Sequence, residues 1–557
     1  MRKFLTLIVA TLFAGTLFAG GLITNTNQSA AWVRLPVRNA SVDIDAAYSN
    51  PAGLMKLENG FHFSLSNQTI TQTRTIENFY KGPDGISGLN SSNYDGEVTA
   101  PFFPSIYAVY KTNKLAFSLG FMPVGGGGGA TYETGLPSFE MSPSDLVPSL
   151  ASQGATAYKL DAYLKGTSVF FGFQGGVAYK INDWLSVAAG LRYVSAKNKY
   201  NGYLKNIEIN MGGTWLRADD IMNGLSAKLT GITTIPTQLE PLTSNPATQG
   251  LTLSQLVGAL LITPETQTSI ETALAAIGVP PANIPFMTVT QISGTVTTAS
   301  PTLLANAAKY SATAELLGDQ DVDVEQTGTG FTPFFSVNLS PSEKINIGIK
   351  YEMITKMNVK NKTKKDFLIG FTEAGIPITK FPNGEKIASD MPAMIALGID
   401  YKITDGLKLC LGSSYFFDKT ANYGHFIDLD NNPSTPETPI SNKDIIANNG
   451  WDVEGGLEVN LSEKFLVSGG YIYANKGVNE KFQNDLNYGL ASHTFGVGGA
   501  YAVSKNLLIN LGANYTAYVK DATTIEHLFS ATETLIPVKQ TYNKNALIFG
   551  IGVDISF

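Results

Sequence analysis

The stretch "YAVSKNLLINLGANYTAY", residues 501–518, begins with a polar turn and continues as a run in which apolar residues recur at every second position. One face of the run carries Leu507, Ile509, Leu511, Ala513 and Tyr515, and the other carries Asn506, Asn510, Gly512, Asn514 and Thr516. A period of two residues is typical of a β-strand with one apolar face. The small polar residues of the turn are typical of tight hairpins. The stretch therefore predicts a hairpin turn followed by a strand.

Five other segments repeat this pattern of a polar turn followed by an alternating strand. They are "YKTNKLAFSLGF" from Tyr110, "YKINDWLSVAAGLRY" from Tyr179, "NLSPSEKINIGIKY" from Asn338, "YKITDGLKLCLGSSYFF" from Tyr401 and "NLSEKFLVSGGYIY" from Asn460. In the second of them the apolar face runs from Leu185 to Tyr193, which is about 26 Å at about 3.3 Å per residue. Tilted by about 40°, such a strand crosses about 20 Å, close to the apolar band of outer-membrane barrels.

The lengths of the connections decide between two β architectures. A soluble sandwich has short strands with loops of similar size at both ends. In this chain the six repeated turns are short and the connections between them are long and irregular, which is the pattern of an outer-membrane barrel with its apolar face outside. Tyrosines near both strand ends predict interfacial girdles: Tyr179, Tyr401 and Tyr501 at one end, and Tyr193, Tyr351, Tyr415, Tyr471 and Tyr515 at the other.

The strand count follows from the turns. If both termini lie on the short-turn side, six short turns divide the chain into seven two-strand excursions, so we predict an all-β fold, a fourteen-stranded antiparallel transmembrane outer-membrane barrel. The last strand would be "NALIFGIGVDISF", which ends on Phe557. A terminal aromatic residue resembles the C-terminal signal that the barrel assembly machinery reads. We therefore expect that machinery and outer-membrane lipid as partners.

Composition and the N-terminus predict an exported protein. The 557 residues are 43% apolar and 15% charged, with a formal net charge of −7 and one cysteine, Cys410. The negative net charge argues against nucleic acid as a partner, and a single cysteine forms no internal disulfide. Residues 1–20 combine a basic start, an apolar stretch and a small-residue exit, which is typical of a signal peptide. A transmembrane anchor would need a longer apolar run, so we expect a protein of the bacterial outer membrane.

The segment between the leader and the first strand, residues 21–57, has no clear β alternation. A barrel of fourteen strands is too wide for side chains alone to fill. We therefore expect residues 21–57 to fold back inside and plug the lumen, and residues 58–557 to form the barrel. We call residues 21–57 the hatch.

The hatch contains Asp45-Ala46 and Asn50-Pro51-Ala52 after a Ser/Ala-rich start. In these elements it resembles the N-terminal hatch of the FadL/TodX family, outer-membrane transporters of long-chain fatty acids and aromatic hydrocarbons. The resemblance is motif-specific only in the hatch; over the remaining chain it concerns strand number, loop placement and the C-terminus. It implies that Asn50, Pro51 and Ala52 take part in ligand binding or gating.

The resemblance also implies a route for the ligand. In the family a hydrophobic molecule is captured outside, diffuses passively into the lumen near the hatch, and leaves sideways through a gap beside an inward kink of the third strand. In this sequence a proline and five consecutive glycines follow the third strand's lipid face, and they predict a bulge or a bend. We expect the lateral opening at Gly120, Phe121, Pro123, Gly125 and Gly126. Alternatively, the glycine run only begins a flexible surface loop.

Two further sets of residues have the alternation expected of the lumen face. Gly120, Gly190, Gly412, Gly470 and Gly512 recur at the same offset within their strands, and they either leave space for the hatch or the ligand, or ease the curvature of the barrel. A fatty-acid carboxylate, if that is the ligand, needs a cationic or amide donor. The candidate donors are Arg192, Lys350 and Lys408.

The longest excursion, residues 201–325, has helix-like apolar spacing in "LTLSQLVGALLI", "ETQTSIETALAAIG" and "SPTLLANAAKYSATAELLG". We expect a partly helical extracellular loop. Its apolar residues would either form an outer groove for first capture of the ligand or only pack together to hold the loop. The groove candidates are Leu256, Leu260, Leu261, Ile270 and Leu274.

Two other functions compete with uptake of hydrophobic small molecules. A receptor for haem or another nutrient should bring histidines or tyrosines together in its loops, but the four histidines are scattered: His62, His425, His493 and His527. A structural barrel without transport would need no hatch. No Gly-x-Ser-x-Gly occurs, so a surface esterase has little support. We expect neither an enzyme nor a cofactor.

A calcium site is also considered in the segment "DLDNNPSTPE". Asp428, Asp430 and Asn432 have the spacing of a calcium loop. However, Pro433 stands where that loop needs glycine, and Pro439 stands where it needs glutamate. A solvated acidic loop is the simpler interpretation, and no metal site is predicted.

Overall fold

The computed structural model describes residues 22–372, 375–424, 426–427, 438–439, 442–529, 531–532 and 534–557. Their main feature is one antiparallel sheet. Its first seven long strands are β1 Gly60–Asn78, β2 Asn93–Lys111, β3 Leu115–Tyr132, β4 Ala155–Lys180, β5 Leu185–Met211, β6 Gln320–Ser342 and β7 Ile345–Glu352. The other seven are β8 Met394–Thr404, β9 Leu407–Phe416, β10 Gly450–Asn460, β11 Phe465–Asn475, β12 Ser492–Ser504, β13 Leu507–Tyr518 and β14 Thr534–Ser556.

The sheet closes on itself, because β1 and β14 pair along their length. The paired positions run from His62 opposite Ser556 to Asn78 opposite Gln540. A closed sheet hides its edges, as a lipid environment requires. Short strands extend the wall and its loops: Thr214–Arg217, Asn358–Lys365, Leu368–Phe371, Pro377–Thr379, Lys386–Ala388, Phe426–Ile427, Thr438–Pro439 and Asp521–Phe529. The predicted fourteen-stranded antiparallel barrel is confirmed.

Large apolar side chains point outward from the barrel. In β3, Phe117 and Leu119 are 45% and 66% exposed, while Ser118 between them is buried. In β5, Leu191 is exposed and Arg192 is buried. Such a surface is stable only when lipid covers it. The tyrosines predicted for the two girdles are all exposed as well: Tyr179, Tyr193, Tyr351, Tyr401, Tyr415, Tyr471, Tyr501 and Tyr515.

Helices occur in the hatch and in the connections. In chain order they are α1 Ala30–Arg34, α2 Ala46–Ser49, α3 Pro137–Ser149, α4 Ala218–Thr233, α5 Ile235–Thr243, α6 Leu253–Gly258, α7 Pro264–Ala276, α8 Val289–Leu317 and α9 Asn442–Ile445. Short 3-10 helices are Pro51–Lys56, Ala151–Gln153, Ile284–Phe286, Asp418–Thr420 and Glu480–Phe482. Within the described ranges, no helix has the length and apolar character to cross a membrane. The predicted signal peptide, residues 1–20, lies outside those ranges.

The chain divides into two compact units, and the smaller one comprises Ser149–Leu160 and Asn206–Asp319 within the described residues. It contains α4 to α8, so the helices expected in the long excursion are present. The excursion begins later than predicted, because β5 continues to Met211. There Gly212 and Gly213, with φ of +61° and +95°, turn the chain back into a hairpin.

The apolar residues of this helical unit differ in exposure. Leu256, Ile270 and Leu274 are buried in its core with Leu253 and Ile292. These three groove candidates therefore hold the helices together, which was the second of the two interpretations. The exposed candidates are Leu260 and Leu261, at 91% and 49%.

Leu256→Ala is expected to destabilise the helical unit by about 2–5 kcal/mol, since the removed side chain leaves a cavity in a packed core. Hydrogen exchange of the amides in α6 and α7 measures this loss. Leu260→Ala is the control; its side chain is 91% exposed, so the change should stay within about 0.5 kcal/mol. Equal protection in the two variants would contradict the assignment of Leu256 to the core.

Candidate functional site

The hatch is organised around the carboxylate of Asp45. Ser29 caps α1 by accepting the Trp32 N–H at 2.9 Å, and its hydroxyl donates to Asp45 at 2.8 Å. Arg38 donates to the same carboxylate through Nε at 2.9 Å, and Ser41 donates at 2.7 Å. All of these side chains are buried, so the hatch carries its own satisfied polar network. The Asp45-Ala46 pair, which supports the family resemblance, is thus a structural centre of the hatch.

The motif Asn50-Pro51-Ala52 connects the hatch to the barrel wall. The Asn50 amide donates to the Ser41 carbonyl at 3.1 Å and to Asn338 Oδ1 on β6 at 2.7 Å. In return, Ser336 Oγ on β6 donates to Asn50 Oδ1 at 3.0 Å. Asn50 is fully buried, and each of its amide atoms has a partner.

The residues after Asn50 add two backbone contacts to the wall. The Ala52 N–H donates to Ser336 Oγ at 3.3 Å, and the Ala52 carbonyl accepts from Ser186 Oγ on β5 at 2.8 Å. Pro51 begins the 3-10 helix Pro51–Lys56, where a missing backbone N–H does no harm. The motif therefore anchors the hatch at β5 and β6.

Glycines let the hatch backbone approach the opposite wall. A Cβ on Gly512 would lie 2.6 Å from the Arg34 nitrogen, and a Cβ on Gly398 would lie 2.4 Å from the Ala40 nitrogen. A Cβ would also come within about 3 Å of the hatch at other lumen-facing glycines, which we call together with these two the glycine belt: Gly348, Gly456, Gly470, Gly496, Gly498, Gly550 and Gly552. Side chains here would displace the hatch.

The five glycines singled out in the sequence divide accordingly. Gly470 and Gly512 belong to the belt, and a Cβ on Gly412 would contact Glu454 at 2.4 Å and the hatch residue Asn39 at 3.2 Å. The remaining two lie apart from the hatch: a Cβ on Gly190 would meet the Phe334 ring, and a Cβ on Gly120 would meet Met122. Gly412, Gly470 and Gly512 thus leave space for the hatch. Gly120 and Gly190 leave space for other side chains of the wall.

The wall has a gap between β2 and β3. The strands pair from Lys111 opposite Ala116 to Ile106 opposite Phe121, and pairing resumes only at Glu97 opposite Thr131. Between these positions the two strands share no ladder pairs. On the other side β3 stays paired with β4, with irregular register at Pro123 and Gly125. The kink predicted for this strand is therefore present as a bulged segment facing an unpaired part of β2.

The kinked part of β3 pairs with the beginning of the hatch. The Asn25 N–H donates to the Val124 carbonyl at 2.9 Å, and the Gly126 N–H donates to the Ile23 carbonyl at 3.0 Å. Gln28 Nε2 donates to the Pro123 carbonyl at 2.8 Å. Backbone groups that turn away from β2 are thus satisfied by the hatch, which is what keeps the kink stable. Gly126 has φ +92°, a conformation that favours glycine.

A cavity of about 710 Å³ lies at this gap. Its lining includes side chains from β2, β3 and β4, and the aromatic members are Phe102, Phe103, Phe121 and Phe171. Phe121 stacks on Phe171 with ring centroids 5.5 Å apart. Sequence reasoning missed the contribution of β2, although "PFFP" at 101–104 carried a signal: two prolines that cannot donate to β3.

An apolar cluster continues from the kink into the lumen. It includes Met122 and Val124 on β3, Phe170 on β4 and Val194 on β5, all buried. Hatch residues complete it on one side, and the connections between the long strands add further members, among them Met357, Met391, Ile445, Ile446 and Phe482. Flexible methionines accept partners of varied shape. The cluster therefore offers an apolar, adaptable interior beside the gap.

The three predicted lumen cations all have carboxylate partners. Arg192 makes two parallel hydrogen bonds to Glu352, at 2.8 and 2.7 Å, and Lys350 contacts the same carboxylate at 2.9 Å. Lys350 also donates to the Tyr48 carbonyl of the hatch at 2.8 Å. Lys408 pairs with Glu458 at 2.8 Å. Sequence analysis found the cations but missed these two acids.

Arg192→Met is expected to destabilise the protein by about 3–5 kcal/mol, because it leaves the buried Glu352 without its bidentate partner. Denaturant unfolding in lipid bilayers measures this change. The triple variant Arg192→Met/Lys350→Met/Glu352→Met should recover most of the loss, since it removes all three charged groups of this cluster and leaves no unpaired charge. Lys197→Met, which breaks the half-exposed pair with Glu325, should change stability by no more than about 1 kcal/mol. An equally small effect of Arg192→Met would contradict a structural role of this pair.

A buried carboxyl group lies at the outer end of the hatch, outside the long strands. Asp418 accepts hydrogen bonds from the Tyr423 hydroxyl, from the Gly450 N–H at 3.0 Å and from the Leu22 N–H. Burial raises the pKa of Asp418 to about 6, because low-dielectric surroundings disfavour the charged form. At neutral pH its carboxylate therefore holds the first described residue of the hatch.

The remaining sequence-based candidates are placed as follows. Cys410 is buried against Leu35 and Val37 of the hatch. The candidate calcium residues Asp428, Asp430 and Asn432 lie outside the described residues. In the described part of the chain, no three His, Cys, Asp or Glu side chains come together as metal ligands.

No protein-family profile and no curated protein matches the sequence. The solved structure of a FadL homologue from Pseudomonas aeruginosa is similar over 97% of this chain and 100% of that chain, with a TM-score of 0.55 and 12% identity. The toluene transporters TbuX of Ralstonia pickettii and TodX of P. putida each cover 94% of this chain and 98% of their own, with TM-scores of 0.46 and 0.45 and identities of 14% and 12%. The chain is therefore an outer-membrane β-barrel with the fold of a FadL homologue. Its hatch resembles the hatch of the same family.

Proposed function

We propose that the protein takes up hydrophobic small molecules across the outer membrane by passive diffusion, with lateral exit through the gap between β2 and β3. The observation that carries this proposal is the gap itself, which opens beside the hatch into a cavity of about 710 Å³ lined by phenylalanines. A wall that only served structure would gain from complete pairing, since unpaired backbone groups in lipid cost several kcal/mol each.

A side exit suits a hydrophobic cargo. An apolar molecule gains nothing from leaving through a watery channel, whereas the lipid beside the gap solvates it well. The apolar cluster around Met122 and Phe170 provides a binding position for the cargo inside the lumen, next to the exit. Asn50, Pro51 and Ala52 would act as a fixed anchor of the hatch, so that any gating movement occurs at the kink residues Pro123 to Gly126.

The cargo class is proposed as long-chain fatty acids or similar hydrophobes. The carboxylate partners of Arg192, Lys350 and Lys408 lead us to assign these cations to support of the hatch rather than to the ligand. First contact with the ligand is assigned to the exposed Leu260 and Leu261 of the helical unit. Such a protein is a transporter and not an enzyme. The exposed Phe557 would serve the barrel assembly machinery during insertion.

Uptake into liposomes that contain the full-length protein tests the proposal. Oleate and toluene should enter faster than in protein-free liposomes, without any energy source, and haem should not. A preference for haem would support the nutrient-receptor alternative. Equal entry of all three compounds with and without protein would favour a structural barrel and reject transport.

A further inference from the structure

A second group of cations lies inside the barrel, near the long-loop end of β1 and β14. Arg74 and Lys544 occupy directly paired positions on these strands. Both side chains are buried, with 3% and 1% of their surface exposed. The outward neighbours Thr73 and Thr75 are polar, and Thr73 is exposed, so the pair lies beyond the apolar belt, on the side of the long connections.

Two positive groups act on Lys544. The charged groups that act on it are Arg74 and Lys476, and in the described residues no carboxylate forms an ion pair with it. Lys476, in contrast, is attracted by Asp418 and Asp452. Like charges on paired positions destabilise a sheet, and a buried charge without a counter-charge costs free energy. A bound anion would supply the missing counter-charge.

Tyrosine rings form the walls around this pair. The Lys544 ammonium lies 4.1 Å from the ring centroid of Tyr488 and 5.8 Å from that of Tyr518, and it donates to the Tyr488 carbonyl at 2.7 Å. The Tyr488 ring stacks on Tyr542 at 4.7 Å. These rings combine flat faces with hydroxyl groups. Flat faces of this kind favour an aromatic guest.

Two residues beside this group carry hydrogen-bond donors without acceptors. The Gln72 Oε1 accepts from Arg74 Nε at 2.7 Å, so the Gln72 amide nitrogen stands close to the guanidinium group. That nitrogen, and the amide nitrogen of Asn487 next to Tyr488, have no partner within the described ranges. Both residues are more than nine-tenths buried. Asp485, the acid closest in sequence, accepts the Ser138 N–H at 2.9 Å. Donors that lack acceptors fit an anionic oxygen ligand.

We propose that Arg74 and Lys544 form a recognition site for the carboxylate of an aromatic acid whose ring packs against the neighbouring Tyr518 and Tyr542. The site rests on the proposed uptake function, because it names one class of cargo. It would act on the outer side of the hatch, before the apolar cluster, and would select a charged aromatic molecule over a neutral one of the same shape. The carboxylate would receive charge-assisted hydrogen bonds from both cations.

Binding to the full-length protein in lipid nanodiscs tests this site. The probes are 2-naphthoate, the neutral 2-naphthalenemethanol and the non-aromatic octanoate. Wild-type protein should bind 2-naphthoate at least about tenfold more tightly than either of the others. Lys544→Met should remove the preference over the neutral alcohol, and Lys544→Arg should keep it. Lys539→Met, which removes an exposed charge from the same strand, should behave as wild type.

Three results would overturn the proposal. The first is that wild type binds naphthoate and the alcohol with equal affinity, and the second is that it binds octanoate and naphthoate with equal affinity. The third is that a folded Lys544→Met barrel loses affinity for naphthoate and for the alcohol by the same factor. Folding is checked by the migration shift that barrels show on heating in detergent gels. Binding is read without transport. A protein that binds naphthoate with the expected selectivity but moves no hydrophobe into liposomes would therefore reject the proposed function and leave this site intact.

Discussion

The double variant Pro123→Val/Gly125→Val is expected to reduce uptake of hydrophobic compounds about tenfold or more, while the barrel stays folded. In the kinked strand a Cβ on Gly125 would lie 2.7 Å from the Ile23 carbonyl oxygen, and overpacking of this kind costs about 1–3 kcal/mol. Valine at 123 restores a backbone N–H that can pair with β2, and valine at both positions favours an extended strand. The straight, paired conformation becomes the more stable one, and the gap closes.

The measurement is the initial rate of oleate or toluene entry into liposomes, normalised to the amount of folded barrel. Leu119→Val is the matched control, since it lies in the same strand with a lipid-exposed side chain and leaves the kink untouched. Full uptake by the double variant, with the barrel folded, would remove the lateral route. Loss of uptake in the control as well would show that the effect is not specific to the gap.

Gly512→Leu is expected to open the lumen to ions. A Cβ on Gly512 would lie 2.6 Å from the Arg34 nitrogen and 2.9 Å from the Val33 carbonyl carbon. Both are backbone atoms of α1, so no side-chain rotation relieves the clash. Because β13 is fixed by pairing on both sides, the hatch must move. The added side chain costs about 1–3 kcal/mol of free energy. Part of this cost weakens the seating of the hatch, and part strains the wall.

Single-channel recording in planar bilayers checks this prediction. Wild type should show brief or no openings, and Gly512→Leu should show lasting conductance at least about tenfold higher. Gly455→Leu is the control, because a Cβ there meets no atom closer than 3.8 Å. A closed Gly512→Leu channel would mean that the hatch tolerates the added side chain and that the glycine belt is not needed for its seating. Conductance in Gly455→Leu would indicate a general effect of leucine on the wall.

Much of the architecture could be predicted because strand formation leaves a local, periodic trace. The alternation in residues 507–515 shows which side chains face lipid, and the repeated polar turns give the number of strands. The hatch could be placed because it interrupts this alternation before Gly60. The kink could be located for a similar reason, since Pro123 and the glycines after it interrupt a strand that is otherwise regular.

The candidate site was less accessible, because it depends on which strands become neighbours. The sequence showed that Arg192 and Lys350 face the lumen, but their partner Glu352 acts on Arg192 across 160 positions of the chain. The same holds for Arg74 and Lys544, which lie at opposite ends of the sequence and meet only because β1 pairs with β14. Leu256 and Leu260 likewise share apolar character, yet one is buried and the other exposed.

The sequence by itself therefore determined the barrel, its strand number, its lipid face and the segment that enters the lumen. These depend on a period of two residues and on turn chemistry, both of which act between near neighbours in the chain. Only the tertiary structure decided where the wall opens, which charges are neutralised, and where the hatch backbone touches glycine. Those properties depend on strand register and on contacts between distant residues, and a one-residue change of register would reassign every one of them.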